Sequence, residues 1–170
     1  QSSQSITVSS AGGYSVTVTN AAGCTSQSSS TSVVVNALPV ASVSASGTTT
    51  FCQGDSVVLS APAGYTYLWS NGATTQSISA KTSGAYSVTV TNANGCSASS
   101  AATTVSVNSI VTPSITANGA TSFCQGGSVV LSAPSGYSSY LWSTGQSSQS
   151  ITVSSAGGYS VTVTNAAGCT

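Results

Sequence analysis

Five cysteines, Cys24, Cys52, Cys96, Cys124 and Cys169, are the residues of this chain with the most chemistry to offer. Around them the means for other chemistry are missing. The charged side chains are Asp55 and Lys81 alone, and there is no His. General acid–base catalysis needs a side chain that titrates near the working pH, and no Glu, His or Arg supplies one. Zinc, calcium and magnesium sites need clusters of thiolate, imidazole or carboxylate, and one Asp cannot build an oxygen cage. The expectation is therefore no catalytic residue, no metal and no cofactor. The cysteines are left with the role of structural disulfides, which small secreted domains use to supplement a limited core.

The same composition excludes partners. Nucleic acid and anionic membranes attract basic patches, which a net charge of zero with one Lys does not offer. No apolar run approaches the ~18 residues of a membrane span. Gln1 does not open a signal peptide, so targeting signals are expected elsewhere in a parent protein. A hydrophobic share of 39%, arranged in alternating runs, argues for a packed core rather than disorder.

What positions the cysteines is a repeat. Residues 1–25 recur letter for letter as residues 146–170, an offset of 145. Inside it, FCQGDSVVLSAPAGY from Phe51 matches FCQGGSVVLSAPSGY from Phe123, an offset of 72, so the other half-cycle is 145 minus 72, or 73 residues. The extra residue is visible where Tyr65-Thr66-Tyr67 becomes Tyr137-Ser138-Ser139-Tyr140. Three units follow: residues 1–36 as the back half of one, 37–108 as a complete one, and 109–170 as one lacking its last strand. Near-identical copies of so long a period are how tandem arrays are built, and the native polypeptide is expected to continue in both directions.

Period-two alternation and β-branched residues predict strands at 40–45, 56–60, 65–70, 76–80, 86–91 and 103–108 of the complete unit. Turn residues separate them, as in Ala61-Pro62-Ala63-Gly64 and Asn92-Ala93-Asn94-Gly95. The fold class is all-β, with tandem immunoglobulin-like β-sandwich domains of about 72 residues. Trp69, with Trp142 in the next unit, stands where that fold buries its third-strand Trp. Tyr86 and Tyr159 stand at the tyrosine corner that opens its sixth strand. The positions at which antibody domains join their sheets by a disulfide are here Ala61 and Val88, and the cysteines have moved outward.

Two connectivities stay open. Within units, Cys52 would pair with Cys96 and Cys124 with Cys169, leaving Cys24 single. Alternatively, the second and sixth strands of the fold run the same way, so a cysteine before one and a cysteine after the other lie at opposite ends, ~20 Å or more apart, against the ~7 Å a bridge tolerates between Cα atoms. Head-to-tail units would then bring Cys52 to Cys169 across the junction. The junctions, residues 35–39 and 108–113, are short, apolar and Pro-containing, which favours a semi-rigid rod gaining about 30 to 40 Å per unit. Because almost nothing titrates, the thermal unfolding midpoint is expected to stay constant from about pH 4 to about pH 9. A shift of many degrees across that range would refute this. The absence of charge also removes the usual repulsion against lateral bundling with identical chains.

The phrases FCQGDSVVLSA, YLWSNGATTQSI and GAYSVTVTNANGCSA resemble the immunoglobulin-like repeats of large surface adhesins and other secreted proteins of Bacteroidota, a likeness that covers the whole chain. The resemblance implies export by the type nine secretion system and an extracellular place at the cell surface, in gliding, adhesion or fibres. It also implies O-glycosylation at Asp followed by Ser or Thr and an apolar residue, which Asp55-Ser56-Val57 matches at Ser56, whereas the next unit departs with Gly127-Ser128-Val129. Lys81, the one candidate for an isopeptide bond, is replaced by Ser154 in the next unit. The leading expectation is a structural shaft whose partners are neighbouring repeats and identical chains. The runner-up is a glycan-binding or adhesive module using exposed Tyr65, Tyr67 and Tyr137, and a remote third is an ice-binding face of Thr17, Thr19, Thr89 and Thr91.

Overall fold

The structure is a computed structural model that describes residues 3–110 and 112–170; Gln1, Ser2 and Val111, the last within the second junction, lie outside it. Among the described residues there is no helix. In residues 3–36 the chain forms β1 (Gly12–Tyr14), β2 (Thr17–Thr19), β3 (Thr25–Gln27) and β4 (Thr31–Val33). The central unit forms β5 (Ser44–Ala45), β6 (Thr50–Cys52), β7 (Val57–Ser60), β8 (Thr66–Trp69), β9 (Ser77–Ala80), β10 (Gly84–Tyr86), β11 (Val88–Thr91), β12 (Ser97–Ser99) and β13 (Thr103–Asn108). The third forms β14 (Thr116–Ala117), β15 (Val129–Ser132), β16 (Ser139–Trp142), β17 (Ser150–Val153) and β18 (Val161–Thr164).

Alternation decides what each central strand buries. In VVLS, VTVT and SISA every second residue is apolar and turns inward, so Val57, Leu59, Val88, Val90, Ile78 and Ala80 are buried. One layer is β5-β7-β9, all antiparallel, with Leu59 opposite Ile78. The facing layer carries β12-β11-β8 and β10-β13-β6. Here β13 runs antiparallel to β10 but parallel to β6, with Asn108 opposite Cys52. Two such layers over one apolar core make a β-sandwich.

Trp69 fills the centre of that core at 2% exposure, and its indole Nε1–H donates to the Thr75 carbonyl at 2.8 Å. Trp142 repeats this in the third unit, at 2% exposure and 2.8 Å to the Ser148 carbonyl. The Tyr86 hydroxyl donates to the Thr82 carbonyl four residues upstream, and Tyr159 and Tyr14 do the same to Ser155 and Ser10. That recurring bond is the tyrosine corner of immunoglobulin-like sandwiches. Ala61 and Val88 are both buried in the core.

The hydrophobic cores of the central and third units are separate clusters. The third keeps β14-β15-β17 and β16-β18 but, among the described residues, has no counterpart of β6, β10, β12 or β13. Residues 3–36 have the converse composition, with β1-β4 and β2-β3 and, among the described residues, no counterpart of the β5-β7-β9 layer. The identical sequences therefore meet opposite fates. Ile6 is 51% exposed and Val18 60%, whereas their copies Ile151 and Val163 are each 3% exposed.

Candidate functional site at the repeat junction

The cysteine turns repeat one set of side-chain hydrogen bonds in all three units. Each unit ends its sixth strand in Asn-Xaa-Xaa-Gly-Cys: Asn20 to Cys24, Asn92 to Cys96 and Asn165 to Cys169. The reversal needs a left-handed residue before the cysteine, and Gly95 and Gly168 supply it at φ 79° and 81°. The Asn side chain fixes the loop, as Asx turns do. Asn165 Oδ1 accepts from the backbone N–H of Ala167 and of Cys169, both at 2.9 Å. Asn92 Oδ1 holds Asn94 and Cys96 in the same way, at 3.1 and 3.0 Å.

The other end of the Asn92 and Asn165 side chains grips the segment that enters the unit. Asn92 Nδ2 donates to the Ala37 carbonyl at 3.0 Å, and Asn165 Nδ2 to the Ser109 carbonyl at 3.2 Å. The cysteine after the sixth strand therefore lies at the entrance of its own unit. Cys52 lies at the exit, because β6 runs parallel to β13 and ends level with it, and the Gln53 N–H donates to the Asn108 carbonyl at 2.8 Å. Asn108 and Ser109 are consecutive residues. The strand carrying Cys52 holds one and the turn carrying Cys169 holds the other.

Over that pair the structure closes a disulfide between Cys52 and Cys169, with Cα atoms 5.6 Å apart. Of the two connectivities open to the sequence, the junction bridge forms. Within-unit pairing does not, since Cys96 and Cys124 are free thiols, as is Cys24. The reason is direction: parallel β6 and β13 put Cys52 at the far end of its unit from Cys96.

Asn165→Ala removes both clamps on the Cys169 turn and the grip on Ser109. Re-formation of the bridge after reduction is expected to slow at least about fivefold, since each of the three hydrogen bonds lost is worth ~1 kcal/mol net. Asn92→Ala alters a turn whose cysteine is unbridged in this chain and is expected to leave that rate unchanged. Thiol trapping during reoxidation measures both, and equal rates for Asn165→Ala and the parent would remove the clamp from the account.

The remaining sequence candidates are scattered. Ser56 is exposed beside Asp55, whose N–H donates to the Cys52 carbonyl at 3.1 Å in a tight turn. Lys81 is exposed after β9. The tyrosines expected to be exposed are half-buried instead. Tyr65 and Tyr67 pack against the central core, and the Tyr67 hydroxyl is spent on the Pro62 carbonyl at 3.0 Å. Tyr137 stacks edge-on with Tyr140, ring centroids 6.2 Å apart. Thr89 and Thr91 do face outward, but their hydroxyls pair across the hairpin with Ser99 and Ser97, each at 2.8 Å. Sequence reasoning missed the two asparagines: only the place of Asn92 at the head of a turn was legible, and the Nδ2 bonds to Ala37 and Ser109 span 55 and 56 residues. No protein-family model matches the chain, and no curated protein matches it either.

Proposed function

We propose that this chain is a length of structural shaft in a repetitive extracellular surface protein, non-catalytic and without a cofactor, whose task is to hold its repeats in fixed succession. The observation that carries this reading is the bridge from Cys52 to Cys169 across the junction of consecutive repeats. A disulfide inside a unit would stabilise that unit alone, whereas one across a junction fixes the relation between two. The bridge fits an oxidising, extracellular setting. The short junctions, the nearly uncharged surface and the likeness of the quoted phrases to Bacteroidota adhesin repeats support the same reading, with neighbouring repeats and identical chains as partners. Two observations favour the shaft over the glycan-binding and ice-binding alternatives: Tyr65, Tyr67 and Tyr137 are half-buried, and the hydroxyls of Thr89 and Thr91 are paired with Ser99 and Ser97, although Thr17 and Thr19 are exposed.

Electron cryo-microscopy of the secreted material tests this. A single-file rod whose axial repeat covers two units, with density for sulfur bridges at every junction, is the expected image. Units jointed at random angles would make the chain a flexible tether and overturn the shaft.

A further inference from the structure

Each of the two sandwiches leaves one edge of a sheet open. In the central unit, which is complete and has chain on both sides of it, β9 is the last strand of β5-β7-β9. The bond from the Ala61 N–H to the Gln76 carbonyl fixes the phase of that strand. Gln76, Ile78 and Ala80 turn their backbone groups to β7, so Ser77, Ser79 and Lys81 turn theirs outward. In the third unit β17 stands in the same place in β14-β15-β17, phased by the bond from the Ala133 N–H to the Gln149 carbonyl, and Ser150, Thr152 and Ser154 face outward. Among the described residues no strand pairs with either row; the Ser77 and Ser150 carbonyls accept from the hydroxyls of Thr75 and Ser148. The open edge belongs to the fold, because the complete unit has it.

An unpaired edge is a template for another chain, and a lysine is a common guard against such pairing. The one lysine of this chain stands at such an edge: Lys81 directly follows β9 and is exposed. Its counterpart after β17 is Ser154. The two edges differ in pattern as well. Ser150-Ile151-Thr152-Val153-Ser154 has the same chemical order from either end, with Thr at the centre, a β-branched apolar residue on each side and Ser beyond. Ser77-Ile78-Ser79-Ala80-Lys81 lacks that symmetry. We propose that the β17 edge pairs with the same edge of a second copy of the chain, antiparallel about a two-fold axis at Thr152. The proposal rests on the reading of identical chains as partners and names the surface they share.

On this register Thr152 faces its own counterpart, Ser150 faces Ser154 and Ile151 faces Val153. The outward N–H and C=O groups of Thr152 exchange bonds with those of its counterpart, and those of Ser150 with those of Ser154. The Ser150 carbonyl has a second lone pair for this beside the one that the Ser148 hydroxyl takes. Thr opposite Thr and β-branched residues opposite each other are favourable cross-strand neighbours. An isologous contact of this kind closes at two copies. Neither strand brings a charge, so no ion loses water when they meet. At β9 the same approach would set Lys81 against Ser77, restrict its long side chain and offer its ammonium no carboxylate on the facing strand.

The test is sedimentation of the 170-residue chain at rising concentration, after alkylation of its free thiols Cys24, Cys96 and Cys124 so that no disulfide joins copies. A monomer–dimer equilibrium is expected, with amide exchange at Thr152 and Ser154 slowing as concentration rises while exchange at Ser79 and Lys81 stays constant. Ser154→Lys places at β17 the guard that the central unit already carries. It is expected to raise the dissociation constant of the dimer about tenfold or more, with the melting midpoint of the dilute chain unchanged. Thr152→Pro removes an N–H that faces outward and is expected to abolish the dimer. A chain that is monomeric at every concentration, a dimer indifferent to Ser154→Lys, or exchange that slows at β9 instead of β17 would each overturn the edge contact. All three would leave the shaft standing on its bridge within one chain, and units jointed at random angles would overturn the shaft while leaving this dimer untouched.

Discussion

Replacing Cys52 and Cys169 together by Ser is expected to leave both sandwiches folded and to free the joint between them. Each has its own buried cluster, so neither depends on the bridge for a core. What the bridge restrains is the unfolded chain, across a sequence separation of 117 residues. Closing a loop of that size is worth about 5 kcal/mol on chain entropy, and the urea midpoint should fall accordingly. Small-angle scattering should report the second effect, a broader spread of distances as the junction hinges about residues 109–115. Cys96→Ser is the control and should change neither quantity, its thiol being unbridged in this chain. Should the double variant match the parent in both midpoint and scattering, the two units would be held together by the rest of their contacts and the disulfide would be incidental.

Trp69→Ala is expected to cost about 3 to 5 kcal/mol, the range for deleting a large aromatic from a packed core. It empties the centre of the central cluster and leaves the Thr75 carbonyl without its indole donor. A unit of about 72 residues buries a limited core and has little stability to spare, so this change takes most of it. Because the clusters are distinct, the damage should stop at the junction: amide exchange should accelerate through β7 to β11 while β15 to β18 keep their protection. Trp142→Ala should produce the mirror image. If either substitution unfolded both units together, the two sandwiches would be one cooperative body despite their separate cores.

The central unit was legible where alternation runs for four residues or more. The strands predicted at 56–60, 65–70, 76–80 and 103–108 correspond to β7, β8, β9 and β13, because Val, Leu, Ile and Trp mark one face of each. The run predicted at 86–91 is broken at Ser87, since Tyr86 pairs with β13 and Val88 with β8, a change of partner that no periodicity records. The stretch 40–45 shrinks to Ser44–Ala45, and Val40 is largely exposed. β6 and β12 were missed: Thr-Phe-Cys and Ser-Ala-Ser are too short to show a period. Burial was the least legible property. Residues 1–25 and 146–170 carry one message and receive two environments, because which apolar face is covered depends on strands written elsewhere in the chain. The bridge was half legible, since strand direction separates Cys52 from Cys96, but only the asparagine clamps decide what Cys52 meets.

The Cys52–Cys169 bridge closes a covalent ring around residues 53–168, and strands β7 to β18 all lie inside it. A pull along the chain from residue 37 to Thr170 passes from Cys52 through sulfur to Cys169 and never enters the ring. Those residues, if drawn straight, would span about 400 Å at ~3.4 Å each. That slack is withheld from any load, so a tug that peels off β5 and β6 reaches the end of its travel before a single strand of the third sandwich bears tension. A tether of unbridged domains absorbs force by unravelling; this one reaches its full length almost at once and behaves as cable.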